Sequence, residues 1–463
     1  MIRPPDKKNV IYTLYGAAVL AFAWLIKASL ASMLLILILV SYLKYRRNSL
    51  PRFSLLNISF IYVLIFSLSY LIIIRGLPLF YIPFSVAPML AMMLFNSLEL
   101  SLVFAIAGGA TVAPLSRDPF LVLLLFLISG ILSAILVRGA RKRTTVIGAG
   151  LVIGCAQAVT LIFADHLWFW GAGRYLALFL NGAACGVLVL GMLPVFEYLF
   201  GTVTNISLLE LADSNHPLLQ KMFQEALGTY QHSMAVGNLS ESACRAVGAN
   251  ALLAKIGAYY HDIGKLQKPG YFSENQELSA SKHDNLTPTM SKLVIMNHVK
   301  EGTDLAAQYK LSPLLVDFIL QHHGNSLVYY FYRRALENLE DDQEIKEEGF
   351  RYPGPKPNTK ETAIVLLADS AEAATRALKD PNPSKIKEVV QKVVNNKFID
   401  GQLDECDLTL KDLEKISAVF IRILGGIYHS RSGYPAERDG ENNHKKPAKE
   451  SPHQSGKDKK VGS

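Results

Sequence analysis

Tyr259-Tyr260-His261-Asp262-Ile263-Gly264-Lys265 sets a His directly beside an Asp, turns at a Gly and presents a Lys. It closes an apolar stretch, Ala251-Leu252-Leu253-Ala254-Lys255-Ile256-Gly257-Ala258, which reads as helix. At the end of a packed helix both polar side chains need partners, because a buried charge without one is costly. A divalent metal is one such partner and a satisfied structural pair is another. Further ligands elsewhere in the chain decide between the two.

The chain supplies them. His232 follows Gly228-Thr229-Tyr230-Gln231, 29 positions before His261. His298 sits in Ile295-Met296-Asn297-His298-Val299, and His322-His323 closes the apolar run Val316-Asp317-Phe318-Ile319-Leu320-Gln321. Asp369 ends the very apolar Ala363-Ile364-Val365-Leu366-Leu367-Ala368. Imidazole and carboxylate together suit iron, manganese or zinc, whereas magnesium and calcium favour all-oxygen sites. His232, His261, Asp262 and Asp369 serve one metal; His298, His322 and His323 supply a second, with Asp262 the natural bridge. Two ions a few ångströms apart suit in-line displacement at phosphorus, in which a hydroxide attacks and the ions offset charge on the phosphoryl oxygens. Lys265 is then expected to hold a non-bridging phosphate oxygen, the alternative being a solvated surface lysine. No GxSxG elbow, phosphate-binding Gly-rich loop or HExxH competes for the catalytic role.

Composition places this centre in one half of a divided chain. Of 463 residues 50% are hydrophobic, and up to about residue 200 long apolar runs dominate. Spanning helices need about 20 apolar residues, and runs at 10–26, 28–43, 54–74, 78–96, 98–115, 119–138, 145–164 and 175–199 qualify. Basic residues concentrate at Lys7 and Lys8, at Lys44, Arg46, Arg47 and Arg52, and at Arg138, Arg141, Lys142 and Arg143. By the positive-inside rule these loops and everything after residue 200 are expected in the cytoplasm. Only Lys27 separates the first two runs, so a hairpin (eight spans) and one long segment (seven) both remain open. The first run has no cleavage site of the signal-peptide type. The spans hold almost no ionisable residues, which argues for an anchor or sensor and against a transporter. Gly108-Gly109 and Gly148/Gly150/Gly154 read as close helix packing, and Asp165-His166 with Trp168, Trp170 and Arg174 as an outer interfacial loop. Four scattered cysteines (Cys155, Cys185, Cys244, Cys406) form neither a disulfide framework nor a zinc site. The net charge of +8 is spread over juxtamembrane loops and the tail, so no nucleic-acid polymer is expected as partner.

After residue 200 the apolar spacing is helical throughout, as in Leu218-Leu219-Met222-Phe223-Ala226-Leu227, and no alternating strand set is visible. The expected fold is all-α: a polytopic membrane domain over 1–200, a cytoplasmic helical domain over 201–435 and a disordered polar tail over 436–463. Ser214-Asn215-His216-Pro217 reads as a helix start, with His216 in the cap or its packing. Residues 338–361 read as a charged break and loop.

The chain resembles the HD-domain phosphohydrolase superfamily, whose signature is His…His-Asp…Asp, and more closely the seven-transmembrane HD-domain proteins, the PgpH type of cyclic-di-AMP phosphodiesterase. The resemblance runs from about residue 28 to 435 and rests on Leu208-Leu209-Glu210-Leu211, Asn215-His216-Pro217-Leu218-Leu219, Gly228-Thr229-Tyr230-Gln231-His232-Ser233, His261-Asp262-Ile263-Gly264-Lys265, Asn297-His298-Val299, Gln321-His322-His323-Gly324, Phe350-Arg351-Tyr352-Pro353-Gly354-Pro355-Lys356-Pro357 and Leu367-Ala368-Asp369-Ser370. It implies a binuclear site of iron or manganese that hydrolyses the cyclic dinucleotide to linear pApA. Carried over by position, His232, His261, Asp262 and Asp369 hold one ion, and Asp262, His298, His322 and His323 the other. His283 and His429 fall in family-like stretches and read as structural. Such proteins usually carry a large extracytoplasmic domain after the first span; here only Lys27 stands there, which implies the same plan with that domain deleted.

Three readings follow. The leading one is a cyclic-dinucleotide phosphodiesterase anchored in a lipid bilayer, compatible with a homo-oligomer. The second is an HD hydrolase of another nucleotide phosphoester. The third is a receptor whose HD domain only binds a nucleotide, and the intact ligand set argues against it. No residue distinguishes adenine from guanine on physical grounds.

Overall fold

In a computed structural model of the chain, residues 55–165, 172–276, 282–338 and 345–429 are described. The first two expected spans, His166, Trp168 and Trp170 of the expected outer loop, and the expected tail lie outside these residues. The described part is helical. It holds no sheet, only an isolated antiparallel bridge between Leu327 and Arg351.

The first part is α1 (Leu55–Ile74), a 3-10 turn at Leu79–Tyr81, α2 (Val86–Phe95), α3 (Leu98–Val112), α4 (Pro119–Leu136), α5 (Arg143–Ala164) and α6 (Ala172–Phe200). Five stretches, built on α1, α3, α4, α5 and α6, are long and apolar enough to cross a membrane, and Leu79–Phe95 is a shorter apolar stretch. The expected runs from residue 54 to 199 therefore fall on real helices, and the protein is a multi-pass membrane protein. One buried polar pair links two of them: Gln157 Nε2 donates to Ser129 Oγ at 2.7 Å, joining α4 to α5. Gly150 and Gly154 let α5 approach α6. A Cβ on Gly150 would lie 2.4 Å from the Gly182 carbonyl oxygen, and one on Gly154 2.5 Å from that of Phe179. Gly148 differs from the expectation: a Cβ there meets nothing within 4 Å, so it takes no part in the contact.

A carboxylate at the end of α6 starts the second part. Glu197 accepts hydrogen bonds from Thr204 N at 2.6 Å and Ser207 Oγ at 2.7 Å, at the head of α7 (Asn205–Leu211). Glu210 of α7 also pairs with Arg143 at the start of α5.

The helices that follow are α8 (Pro217–Glu225), α9 (Leu227–Val247), α10 (Ala251–Tyr260), α11 (Pro288–Gln308), α12 (Pro313–Gln321), α13 (Tyr329–Glu337), α14 (Lys360–Arg376), α15 (Pro383–Ile399) and α16 (Leu410–His429). Their starts are written in sequence. Asn250 accepts from Leu253 N, and Ser312 and Thr287 cap helices whose first residue is Pro. Thr359 and Thr362 bond each other's backbone at the head of α14, ending the charged break. His216 precedes Pro217 but makes no side-chain cap bond; its ring stands edge-on to Tyr260 at 5.5 Å, so its role is packing.

Two apolar cores meet at α10. Ala254 and Ala258 face a core with Val236, Ile364, Ile386 and Phe420; Ile256 and Tyr260 face another with Leu208, Leu218, Leu305 and Leu315. Each such fully buried aliphatic side chain contributes about 1.5–3 kcal/mol. The helix carrying His261 is thus held on both sides, and its end has little freedom to move.

Candidate metal centre

Five helices deliver the seven expected ligands to one place. His232 lies in the second turn of α9, His261 caps α10 and Asp262 follows it. His298 lies in α11, His322 caps α12 with His323 next, and Asp369 lies in α14. They form two overlapping groups, His232/His261/Asp262/Asp369 and Asp262/His298/His322/His323, with the ligand atoms of each group within 4.8 Å of one another. Six of the seven are buried, and the His323 side chain retains 22% of its exposure. The opening to solvent is therefore on the His323 side.

Asp262 belongs to both groups. Its Oδ2 lies 3.2 Å from His261 Nε2 and 3.7 Å from His232 Nε2; its Oδ1 lies 3.4 Å from His298 Nε2 and 3.5 Å from His322 Nε2. Asp369 leans the same way, with Oδ1 3.0 Å from His232 Nε2 and Oδ2 3.6 Å from His323 Nδ1.

The imidazoles are set to act as donors. His261 Nδ1 lies 2.6 Å from the Ala258 carbonyl, His298 Nδ1 2.5 Å from that of Ile295, and His322 Nδ1 2.9 Å from that of Ile319. A carbonyl only accepts, so each Nδ1 carries a proton and Nε2 is the ring atom that faces the centre. His261 Nε2 and Asp262 Oδ1 are buried with no hydrogen-bond partner, an unusual state for buried polar atoms. His298 Nε2 and His322 Nε2 face each other at 3.1 Å. Two nitrogens each about 2.1 Å from one ion and at right angles about it are about 3 Å apart. These residues fit a divalent metal pair.

The charges agree. Burial alone would raise the Asp262 carboxyl, but His261 and Lys265 hold it well below the usual carboxylate range. Burial likewise opposes ionisation of Asp369, which its hydrogen bond with His232 and the nearby histidines nevertheless keep low. Burial pushes His298 down to about 3 and His323 well below the ordinary value, so both stay neutral. Burial would lower His232 too, but its hydrogen bonds with Asp369 and Glu372 raise it to about 9.

Lys265 stands beside Asp262, between two carboxylates. Its Nζ lies 2.8 Å from Asp262 Oδ2 and 2.7 Å from Glu274 Oε1, with the side chain 13% exposed. Two carboxylates engage the ammonium, which is therefore not a solvated surface group. The turn that places it depends on Gly264, where a Cβ would lie 1.8 Å from the His298 carbonyl oxygen. Only a residue with no side chain lets the Asp262 turn lie this close to α11.

Two further residues bear on the centre. The Tyr352 ring packs on His323 with centroids 4.3 Å apart. Glu372 Oε2 lies 2.5 Å from His232 Nδ1. Glu372 stands three residues after Asp369, hence on the same face of α14, and that spacing was its one signal in the sequence. His283 is structural as expected, with Nε2 2.9 Å from the Tyr271 carbonyl.

Fold and site together define a membrane-borne, all-helical His/Asp centre of the HD class. A family model described as a 7TM receptor with intracellular HD hydrolase matches residues 21–204, and the HD domain model matches 229–374. The chain is 44% identical over 316 residues to the cyclic-di-AMP phosphodiesterase PgpH of Bacillus subtilis (strain 168), covering 67% of this chain and 44% of that protein. It is 37% identical over 367 residues to the protein of the same name from Listeria monocytogenes serotype 1/2a (strain 10403S), covering 78% and 51%. The crystal structure of the L. monocytogenes PgpH HD domain in complex with cyclic-di-AMP matches at 44% identity with a TM-score of 0.45, over 47% of this chain and 100% of that one. The chain belongs to the seven-transmembrane HD-domain family, and the HD domain implies divalent metal binding. It spans about half the length of the curated relatives it matches.

Proposed function

We propose that the protein is a membrane-anchored, metal-dependent phosphodiesterase that hydrolyses a cyclic dinucleotide, cyclic-di-AMP to pApA. The observation that carries this reading is the Asp262 carboxylate, whose two oxygens face two separate sets of imidazole nitrogens. The choice of adenine rests on the names of the relatives.

His232, His261, Asp262 and Asp369 would hold one ion, and Asp262, His298, His322 and His323 the other, iron or manganese by donor type. When bound, such a pair supplies an activated water and positive charge opposite the phosphoryl oxygens. The chain's residues do the rest. Asp262 fixes the spacing of the two subsites, and Lys265 keeps it ionised while Glu274 holds Lys265 in place. The backbone carbonyls behind His261, His298 and His322 fix their tautomers. Substrate enters from the exposed His323 side, where Tyr352 braces the imidazole. Water adds at phosphorus, one bridging P–O bond breaks, and the proton ends on the departing ribose oxygen.

The centre lies on the cytoplasmic side, with residues 1–200 as the membrane unit, 201–435 as the catalytic domain and 436–463 as a tail. The end of α6 at Phe200 supports the first boundary. The ion pair between Arg143, in a strongly basic loop, and Glu210 supports the placement.

The test is detergent-solubilised full chain incubated with Mn²⁺ or Fe²⁺ and each cyclic dinucleotide in turn, beside Asp262→Asn. Metal-dependent pApA from cyclic-di-AMP is expected, about a thousandfold slower in the variant, given the several kcal/mol a metal pair contributes. Absence of metal-dependent product, or equal turnover by Asp262→Asn, would sink the reading. Turnover of a different dinucleotide would change the substrate and keep the chemistry.

A further inference from the structure

The two halves of the centre are unequal. Three of the four imidazoles that turn Nε2 inward rest their Nδ1 on a neutral backbone carbonyl: His261 on Ala258, His298 on Ile295 and His322 on Ile319. His232 alone rests it on a carboxylate, with Glu372 Oε2 at 2.5 Å. Glu372 is only 6% exposed, so its charge is little screened by water. Arg376 Nη1 lies 3.4 Å from the same oxygen. Asp369, Glu372 and Arg376 share one face of α14 at positions i, i+3 and i+7.

We propose that Glu372 is a positioning residue that makes the His232/His261/Asp262/Asp369 subsite the tighter of the two, so that the centre fills in a fixed order. The proposal rests on the two-metal reading above. A carboxylate can only accept, so Glu372 keeps a proton on Nδ1 and Nε2 is the atom whose proton a metal ion would displace. A charged acceptor also makes the imidazole a stronger donor than a carbonyl does. Anionic groups reinforce the difference. The first subsite has Asp262 and Asp369 as ligands with Glu372 behind, while the second has three imidazoles and only the shared Asp262. A dication entering the apo centre settles first where the negative charge is.

Mn²⁺ titration of the metal-free full chain, following free Mn²⁺ by electron paramagnetic resonance, tests this. The wild type is expected to take up two ions in two separable steps. Glu372→Gln keeps the shape and loses the charge; it is expected to weaken the first step about tenfold to a hundredfold and leave the second unmoved. His298→Ala is expected to lose the second step and keep the first. If Glu372→Gln does not fold, Glu372→Asp, which keeps the charge but withdraws it from Nδ1, must show the same selective loss. A titration of Glu372→Gln identical to wild type, or one weakened equally at both steps, overturns the positioning role while the metal centre stands. A wild type that binds no Mn²⁺ removes the two-metal reading itself.

Discussion

The Lys265 ammonium lies 2.8 Å from Asp262 Oδ2, and Asp262 is 1% exposed. The carboxylate shared by the two groups is thus locked into its anionic form from within the protein, before any ligand arrives.

Lys265→Met tests this lock. It leaves Asp262 and Glu274 as two buried carboxylates with no cation between them. Breaking a buried pair in this way costs about 3–5 kcal/mol. The Asp262 carboxyl moves up towards the ordinary range, so the acid limb of Mn²⁺ binding shifts to higher pH. Unchanged melting and an unshifted limb would mean that the lysine is dispensable to the site.

Metal-free protein should be most stable near neutral pH, with losses on both sides. His232 is raised to about 9. Its stabilisation is complete below the unfolded value of about 6.5 and fades as pH climbs through about 9, a loss of about 3 kcal/mol. His298 and His323 run oppositely: held neutral, they oppose folding increasingly as pH falls below about 6.5, where the unfolded chain takes up protons. Below about pH 4 the stabilisation from Asp262 and Asp369, held low in the fold, is lost as well, because the unfolded carboxyls take up protons first. Melting temperatures of chelator-treated protein across pH 5 to 9 check the curve, and a steady rise or fall across that window would contradict it.

Gly264→Ala should disturb the centre without touching a ligand. The added Cβ falls 1.8 Å from the His298 carbonyl oxygen and 2.5 Å from Gly302 N, both backbone atoms of α11 that cannot rotate away. Overpacking of this kind costs about 1–3 kcal/mol. The turn must lift, carrying Asp262 away from His298. Lower melting together with loss of bound Mn²⁺ is expected, and full Mn²⁺ capacity would show that the turn relaxes elsewhere.

The candidate ligand set was legible because chemistry marked it: polar His and Asp close apolar helical runs at His261-Asp262, His322-His323 and Asp369. The described membrane helices were legible for the converse reason, unbroken apolar length. What escaped was direction. The turn after Asp262 swings Lys265 onto Glu274, nine residues on, and nothing local announces that pairing. Glu372 escaped because a carboxylate on an amphipathic helix normally faces water. Only the packing of α14 on α9 shows that it faces His232. Gly148 failed the other way, sharing the spacing of Gly150 and Gly154 while pointing to open space.

Glu197 should hold the membrane unit to the catalytic domain. Its carboxylate takes two charge-assisted bonds, from Thr204 N at 2.6 Å and Ser207 Oγ at 2.7 Å. Bonds of this type contribute about 1.5–3 kcal/mol each when buried, and less here, where the site is half-buried. The helix they start, α7, has 7 residues and cannot persist alone. Its other end is tied independently: Leu208 is buried in the core beneath α10, and Tyr260 Oη donates to the Leu211 carbonyl at 2.7 Å. Glu197→Ala therefore frees the head of α7 and leaves its tail in place. Proteolysis between α6 and α7 should accelerate, with Thr204 amide exchange rising about tenfold, the equivalent of about 1.4 kcal/mol. Mn²⁺ stoichiometry should hold, because Tyr260 and the core keep His261 where it is. Should the variant lose metal along with protection, α7 would be a single unit reaching from Glu197 to the end of α10, and the membrane helix and the metal centre would be mechanically joined.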